Sequence, residues 1–422
     1  MTARVLLAHS MLWPNVARLA IAFRKAGSAV HVVAPTEHPV HRMHAPNRTF
    51  EYRRTSAYDS MKAAIAASQP DLIVPCDDRV VAHLHRLYDE ASARPGEAGM
   101  LGIAALIEAS LGSPLSYPVI VRRSFLSNLA QLPEVHIPQT AAIGCIEDLL
   151  SWVRRHGLPA VLKLDGSSGG RDVIIIRSGA EVLPSLLWMR LRKSWVRGLK
   201  SFLVDGDAEA FLTARIPTAQ ICIQSYVPGR LANCAVACWH GDILGSAAVE
   251  VLQRSSEFGV ASVVRRVKGE AMIATARSIA QHLNLSGIFG FDFVLDDATQ
   301  QAKLIEINPR ATQIDHFPSR DGPDLPSALL SALLNEPIGS PIDDQIPNEV
   351  ALFPQEWSRD PASNWLARTY HDVPFEEPEF VRYFGYSNSE RIPPILARTD
   401  RAAAGEWIGN PGDIDPRPRP PR

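Results

Sequence analysis

Short apolar strands alternate with helix-length stretches over the first 75 residues, and this alternation limits the possible folds more than any other feature. Val5–Ala8 is apolar, Val16–Ala26 has helical spacing and is stopped by Gly27, and Val30–Ala34 is apolar again. A second helical stretch, Ser60–Ser68, leads into a further strand from Asp71 to Pro75. Continuously apolar strands separated by helices predict a parallel sheet covered on both faces. Ligands of such sheets bind beyond the carboxyl ends of the strands. Asp77 and Asp78 lie just past one of these ends and read either as a substrate or inter-lobe contact, or as an N-cap. No Gly-x-Gly-x-x-Gly follows the first strand, which argues against a dinucleotide site there. His38, His41 and His44 recur in a Pro-rich loop without a carboxylate or Cys to complete a ligand set, so they read as a solvated loop.

A chain of 422 residues is too long for one small core and suits two or three packed lobes. A net charge of −2 gives no broad attraction to nucleic acid or to an anionic membrane. No apolar run is long enough to span a bilayer, and Met1–Leu12 reads as a first strand, not a signal peptide. The five cysteines, an odd number scattered through apolar segments, predict reduced thiols in the cytoplasm. Cys234 and Cys238 sit in a strand with no second Cys/His pair nearby, which favours buried thiols over zinc.

Gly112–Pro118 reads as a linker closing a first region at about residue 114, and a helical stretch from Arg122 to Gln131 opens the second. The helix Glu147–His156 ends at Gly157, and Ala160–Ile176 reads as strand, Gly/Ser-rich loop, strand. Residues 180–215 look helical, and Ile221–Val227 reads as a strand. Asn233–Glu250 forms a hairpin turning at Gly241-Asp242. Lys268–Leu283 shows an apolar helical face of Met272, Ala276, Ile279 and Leu283. Gly287–Leu295 and Lys303–Asn308 make a second hairpin, and Ser327–Leu334 a short apolar helix. The expected division is 1–114, 115–340, a C-terminal extension over 341–409 packed on the core, and a disordered Pro/Arg-rich tail over 410–422.

Three segments carry chemistry. In the late hairpin, strict alternation places Leu304, Glu306 and Asn308 on one face, with the two polar groups about 7 Å apart. Asp292 lies on the partner strand among Phe289, Phe291 and Phe293, where an acid is costly without a partner. Three hard oxygen donors on adjacent strands suit Mg²⁺, and Arg310 on the same rim can neutralise a phosphate. Earlier, Lys163 is a cation inside an apolar strand, followed by the small residues Gly166–Gly170, whose backbone N–H groups can approach phosphate oxygens. This is not a Walker A loop. Finally, the strand through Gln224, Ser225, Tyr226 and Val227 stops at Pro228-Gly229, where the backbone groups of Ser225 and Val227 can read adenine.

In chain order, Lys163 with its Gly-rich loop, then the strand through Gln224, then Asp292 followed by Glu306-Ile307-Asn308-Pro309-Arg310, the three segments resemble the ATP-grasp superfamily, over roughly Leu115–Glu336 and in a form similar to its carboxylate–amine ligases. The resemblance implies an α/β and α+β chain: an N-terminal parallel Rossmann-like sheet followed by an ATP-grasp fold of two sheet-containing lobes. It implies ATP and Mg²⁺ (or Mn²⁺), with Lys163 on the α/β-phosphates and Ser167, Ser168, Gly169 and Gly170 closing over the triphosphate. Gln224 to Val227 line the adenine, while Asp292, Glu306 and Asn308 hold the metal. Arg310 meets the γ-phosphate or an acyl phosphate, and Lys163 and Arg310 are the catalytic pair. Arg123 stands where such enzymes often carry a second phosphate-binding Lys, and Gln224 where an acid is common; both are departures. Arg265, Arg266 and Asp78 are the substrate-side residues, although the two arginines read equally as a strand-end pair in solvent.

The implied reaction activates a carboxylate as an acyl phosphate for attack by an amine, with small-molecule substrates and neither nucleic acid nor membrane as partner. A homodimer is compatible with this reading. Two alternatives remain: phosphorylation of bicarbonate, as in biotin-dependent carboxylation, and a non-catalytic ATP-binding regulator.

Overall fold

The computed structural model describes residues 2–97, 99–165, 172–192, 220–319, 322–337, 339 and 346–386. The N-terminal lobe is the expected parallel sheet. Its strands β1 (Arg4–Ala8), β2 (Ala29–Pro35), β3 (Arg48–Tyr52) and β4 (Leu72–Pro75) are ordered β3-β2-β1-β4. Helices α1 (Asn15–Lys25), α2 (Ala57–Ser68), α3 (Asp78–Ala93) and α4 (Met100–Leu111) cover it. Strand β3 escapes the sequence reading because its five residues RTFEY are mostly polar and half-exposed at a sheet edge.

Gly112–Pro118 is not a free linker. Gly112 closes α4 at φ +81°, and Ser113 N–H donates to Asn284 O at 3.2 Å. A Cβ on Gly112 would overlap the backbone at Asn284 and Leu285, so this turn is pressed against the second half of the chain. The stretch expected to be helical from Arg122 is a 3-10 segment, Arg123–Leu129.

A four-stranded antiparallel sheet follows, of β5 (Thr140–Ile143), β6 (Ala160–Leu164), β7 (Val173–Ile176) and β8 (Ile221–Ser225), in the order β5-β8-β6-β7. Helices α5 (Ile146–His156) and α6 (Gly179–Arg192) bury Leu149, Trp152 and Leu186 against it. The expected helix beyond 192 and the tail over 410–422 lie outside the described residues.

The third sheet has seven strands, in the order β13-β12-β9-β10-β11-β14-β15. They are β9 (Gly229–Trp239), β10 (Asp242–Arg254), β11 (Ala261–Val267), β12 (Gly287–Asp296), β13 (Ala302–Asn308), β14 (Glu349–Leu352) and β15 (Tyr370–Asp372). His240 and Gly241, at φ 48° and 88°, form the two-residue turn between β9 and β10 that matches the twist of a tight hairpin. One face of the sheet carries Cys234, Val236, Phe289, Phe291 and Phe293 against α7 (Glu270–Leu283). The other carries Ala235, Ala237, Val249 and Ile288 into a core shared with α1, β1, β2 and α8 (Leu325–Leu334). The chain after 346 joins that core through Val350, Leu352 and Phe380. Among the described residues no single helix is long and apolar enough to cross a membrane.

Candidate active site

Alternation along β12 sends the three phenylalanines to the α7 side and Asp292 to the opposite face. The acid therefore does not sit among Phe side chains, as the sequence suggested. Its cross-strand neighbours are Glu306 on β13 and Asn233 on β9. On β13 the alternation breaks: Asp292 pairs with Glu306, but Phe293 pairs with Leu304, leaving Ile305 as a bulge. The bulge puts Leu304 in the core with Ile307 and turns Ile305 to the cleft with Glu306 and Asn308. The expected grouping of Leu304 with Glu306 and Asn308 is thus corrected by one inserted residue.

Asn308 Nδ2 donates to Asp292 Oδ2 at 3.0 Å, and Asn233 Nδ2 donates to Asp292 Oδ1. Burial, and then the nearby charge of Glu306, push the Asp292 carboxyl above its ordinary range. Arg310 Nε donates to Asp78 Oδ1 at 2.9 Å and its Nη2 to Asn308 Oδ1 at 3.1 Å. Just beyond, Ala311 N–H donates to Pro75 O at 2.8 Å, fixing this loop to the carboxyl end of β4.

The smaller sheet supplies the facing wall. Lys163 on β6 is buried and donates from Nζ to Gln224 Oε1 at 2.8 Å. Burial, and then the adjacent Arg123, lower its pKa to about 8. Arg123 spans the cleft: Nη1 donates to Leu164 O at 2.7 Å, and Nη2 reaches Glu306 Oε1 at 2.5 Å. Lys163 on one sheet therefore faces the paired acids on the other, and buried Arg123, from the 3-10 segment, joins the two.

Residues 153–313 match the family model described as ATP-grasp domain. The chain carries an ATP-grasp domain. Solved structures share its fold. They include carboxyaminoimidazole ribonucleotide synthase from Aspergillus clavatus complexed with ATP (15% identity, TM-score 0.54, 81% of this chain and 78% of that one). Biotin carboxylase from Campylobacter jejuni is similar at 13% identity (TM-score 0.55, 81% and 73%). So is the biotin carboxylase domain of Hydrogenobacter thermophilus 2-oxoglutarate carboxylase, at 12% identity (TM-score 0.55, 81% and 72%). No curated protein matches.

Within this ATP-grasp arrangement the structure brings Lys163, Arg123, Gln224, Asp292, Glu306, Asn308, Arg310 and Asp78 to one cleft. Gln224 acts from beneath, through its amide: Oε1 holds Lys163 and Nε2 donates to Thr140 Oγ1 at 3.1 Å. The N–H groups of Ser225 and Tyr226 are already donated to Gln139 O and Pro159 O; that of Val227 takes no such bond among the described residues. Ser167, Ser168, Gly169 and Gly170 lie outside the described residues. The structure does not bring Arg265 or Arg266 to the cleft. Arg265 is exposed and paired with Glu349 at 2.9 Å, and Arg266 donates to the carbonyls of Ile346 and Pro318.

Three further residues belong to the site's surroundings. Asn233 escaped notice because an amide inside LANCAVAC looks like a strand residue; only its register opposite Asp292 reveals it. Asp77, beside the site, caps α3 through Val80 N–H and also accepts from Ser10 N–H and Oγ, locking the β1–α1 loop in place. His38 is not part of a solvated loop. It is 2% exposed, lies within hydrogen-bond distance of Trp13 O at 2.9 Å, and is held near pKa 3 by burial and then by the neighbouring His9.

Proposed function

We infer that the chain is an ATP-dependent ligase that activates a carboxylate as an acyl phosphate for attack by an amine, releasing ADP and phosphate. The observation that carries this reading is the convergence of Lys163 and Arg123 with Asp292, Glu306, Asn308 and Arg310 across one cleft. The donor set fits Mg²⁺. Of the two facing carboxylates, Glu306 is paired with Arg123, whereas Asp292 is held only by the amides of Asn233 and Asn308 among the described residues and has its ionised form disfavoured by burial and by Glu306; buried Asn233 Oδ1 has no hydrogen-bond partner among the described residues. Asp292, Glu306 and Asn308 would hold the ion. When bound, it screens charge on the triphosphate.

In this reading Lys163 holds the triphosphate and Arg310 meets the transferred phosphoryl group. A carboxylate oxygen forms a bond to the γ-phosphorus as the bond to the ADP oxygen breaks. The amine nitrogen then attacks the acyl carbon, phosphate leaves with the bonding pair, and the nitrogen loses a proton. Positioning and charge neutralisation supply the catalysis, so no side-chain nucleophile is required.

A second reading, phosphorylation of bicarbonate, draws on the Hydrogenobacter thermophilus domain, whose structure contains MgADP, ADP and bicarbonate. ADP release measured against carboxylates, amines and bicarbonate separates the two. Dependence on both a carboxylate and an amine supports the ligase, whereas release driven by bicarbonate alone overturns it. The metal role is tested with Glu306→Gln, which keeps an oxygen for Arg123 while removing the charge. Mg²⁺-dependent turnover should fall by about 10²-fold or more, and wild-type turnover in this variant would remove Glu306 from the metal site.

A further inference from the structure

The cavity above the paired acids, about 220 Å³ in volume, extends from Asp292 and Glu306 across β9 to β10 and β11. One cross-strand row passes from Glu306 to Asp292, Asn233 and Val249, so the surface changes from acid to amide to methyl over four strands. Beyond this point the lining is mostly apolar, with Val251, Val260 and Val264 and with Trp13 added from the β1–α1 loop; Asn15 and Gln313 are polar members of the lining, and the Gln313 amide is donated to Ala261 O. A triphosphate needs cations and N–H donors, and a valine wall supplies neither. Such a wall suits an apolar body removed from water.

Two arginines line this cavity. Arg310 is tied to Asp78 and Asn308. Arg254, at the end of β10, is half-buried, and its guanidinium has no ion pair or hydrogen bond among the described residues. An unpaired arginine beside an apolar wall is suited to an anion whose remainder is hydrophobic.

We propose that the β10–β11 end of the cavity seats the carboxylate substrate, a molecule with a branched aliphatic or aromatic body drawn in by Arg254. The proposal rests on the ligase reading and adds the class of acid to it. Arg254 is a specificity-determining residue that sits apart from the metal-facing row, so its loss acts on acid binding and leaves the nucleotide site intact.

The test uses the full chain with ATP, Mg²⁺ and hydroxylamine, which attacks an acyl phosphate to give a hydroxamate and phosphate. Hydroxamate and ADP are measured with 4-methylpentanoate and 3-phenylpropanoate, and with succinate and bicarbonate for comparison. The two apolar-bodied acids should be preferred by about tenfold or more in kcat/KM. Arg254→Gln should raise their KM by about tenfold while the KM for ATP stays within about twofold, and Arg254→Lys should recover part of the loss. Preference for succinate, or an unchanged KM in Arg254→Gln, overturns the substrate class and leaves the ligase standing. ADP release with bicarbonate alone, or no turnover with any acid, overturns both.

Discussion

Asp78, the first residue of α3, accepts a 2.9 Å hydrogen bond from Arg310, 232 residues later in the chain. The parallel-sheet lobe thus orients the arginine that also reaches Asn308, beside Asp292. Asp78→Ala should free the guanidinium and lower kcat by about 10²-fold, with little change in the KM for ATP. Steady-state ADP release checks this, and kcat within twofold of wild type would show that Arg310 does not depend on Asp78.

Lys163 costs the fold stability. Its pKa is pulled from 10.5 to about 8, chiefly by burial. A lysine shifted in this direction destabilises the fold while protonated; the cost is full below pH 8 and disappears as pH rises through the unfolded value. Lys163→Met should therefore stabilise the nucleotide-free protein at pH 7, by about 2 kcal/mol, and lose stabilisation by ATP-Mg²⁺. The stability gap should close toward pH 10.5. Thermal melts with and without nucleotide read both effects, and a destabilised variant at pH 7 would contradict the sign.

Asp372 on β15 behaves in the opposite way. Burial alone would raise its pKa, but Arg18 and His316, the latter at 2.9 Å, hold it near 2. Its stabilisation is present above the ordinary value of 3.8 and is lost as pH falls toward 2. Asp372→Ala should cost about 3 kcal/mol at pH 7 by leaving Arg18 buried and unpaired. Arg18→Met combined with Asp372→Leu should recover most of that loss in urea unfolding.

Gly290 lies opposite Asn308, and a Cβ there would collide with the Thr312 side chain. Thr312 is fixed by Asp315 through both its N–H and its hydroxyl, so it cannot yield cheaply. Gly290→Ala should cost about 1–3 kcal/mol and slow turnover by shifting the loop after Arg310. A crystal structure or melting curve unchanged from wild type would show that the loop absorbs the methyl group.

The sequence made the parallel lobe, both later hairpins and the acid–amide–arginine run legible, because each has a strong period or an unusual polar residue in an apolar strand. Register was not legible. The bulge at Ile305 depends on how β12 and β13 pair, and strict alternation therefore misplaced Leu304. Asn233 and Arg254 were missed for a related reason: their significance comes from strands adjacent in space. Arg265 and Arg266 looked like substrate ligands by position, but two of their partners, Glu349 and Ile346, lie in the weakly periodic stretch beyond Pro341, and the third, Pro318, is reached only through its backbone carbonyl.

The shared core has a consequence for biosynthesis. Val5, Phe23 and Val32 complete their packing with Leu325, Val350 and Phe380, which leave the ribosome much later. At ordinary elongation rates the delay between Val32 and Phe380 is roughly 20–70 s. During that time the flank of the nascent N-terminal lobe that will meet Leu325, Val350 and Phe380 stays uncovered.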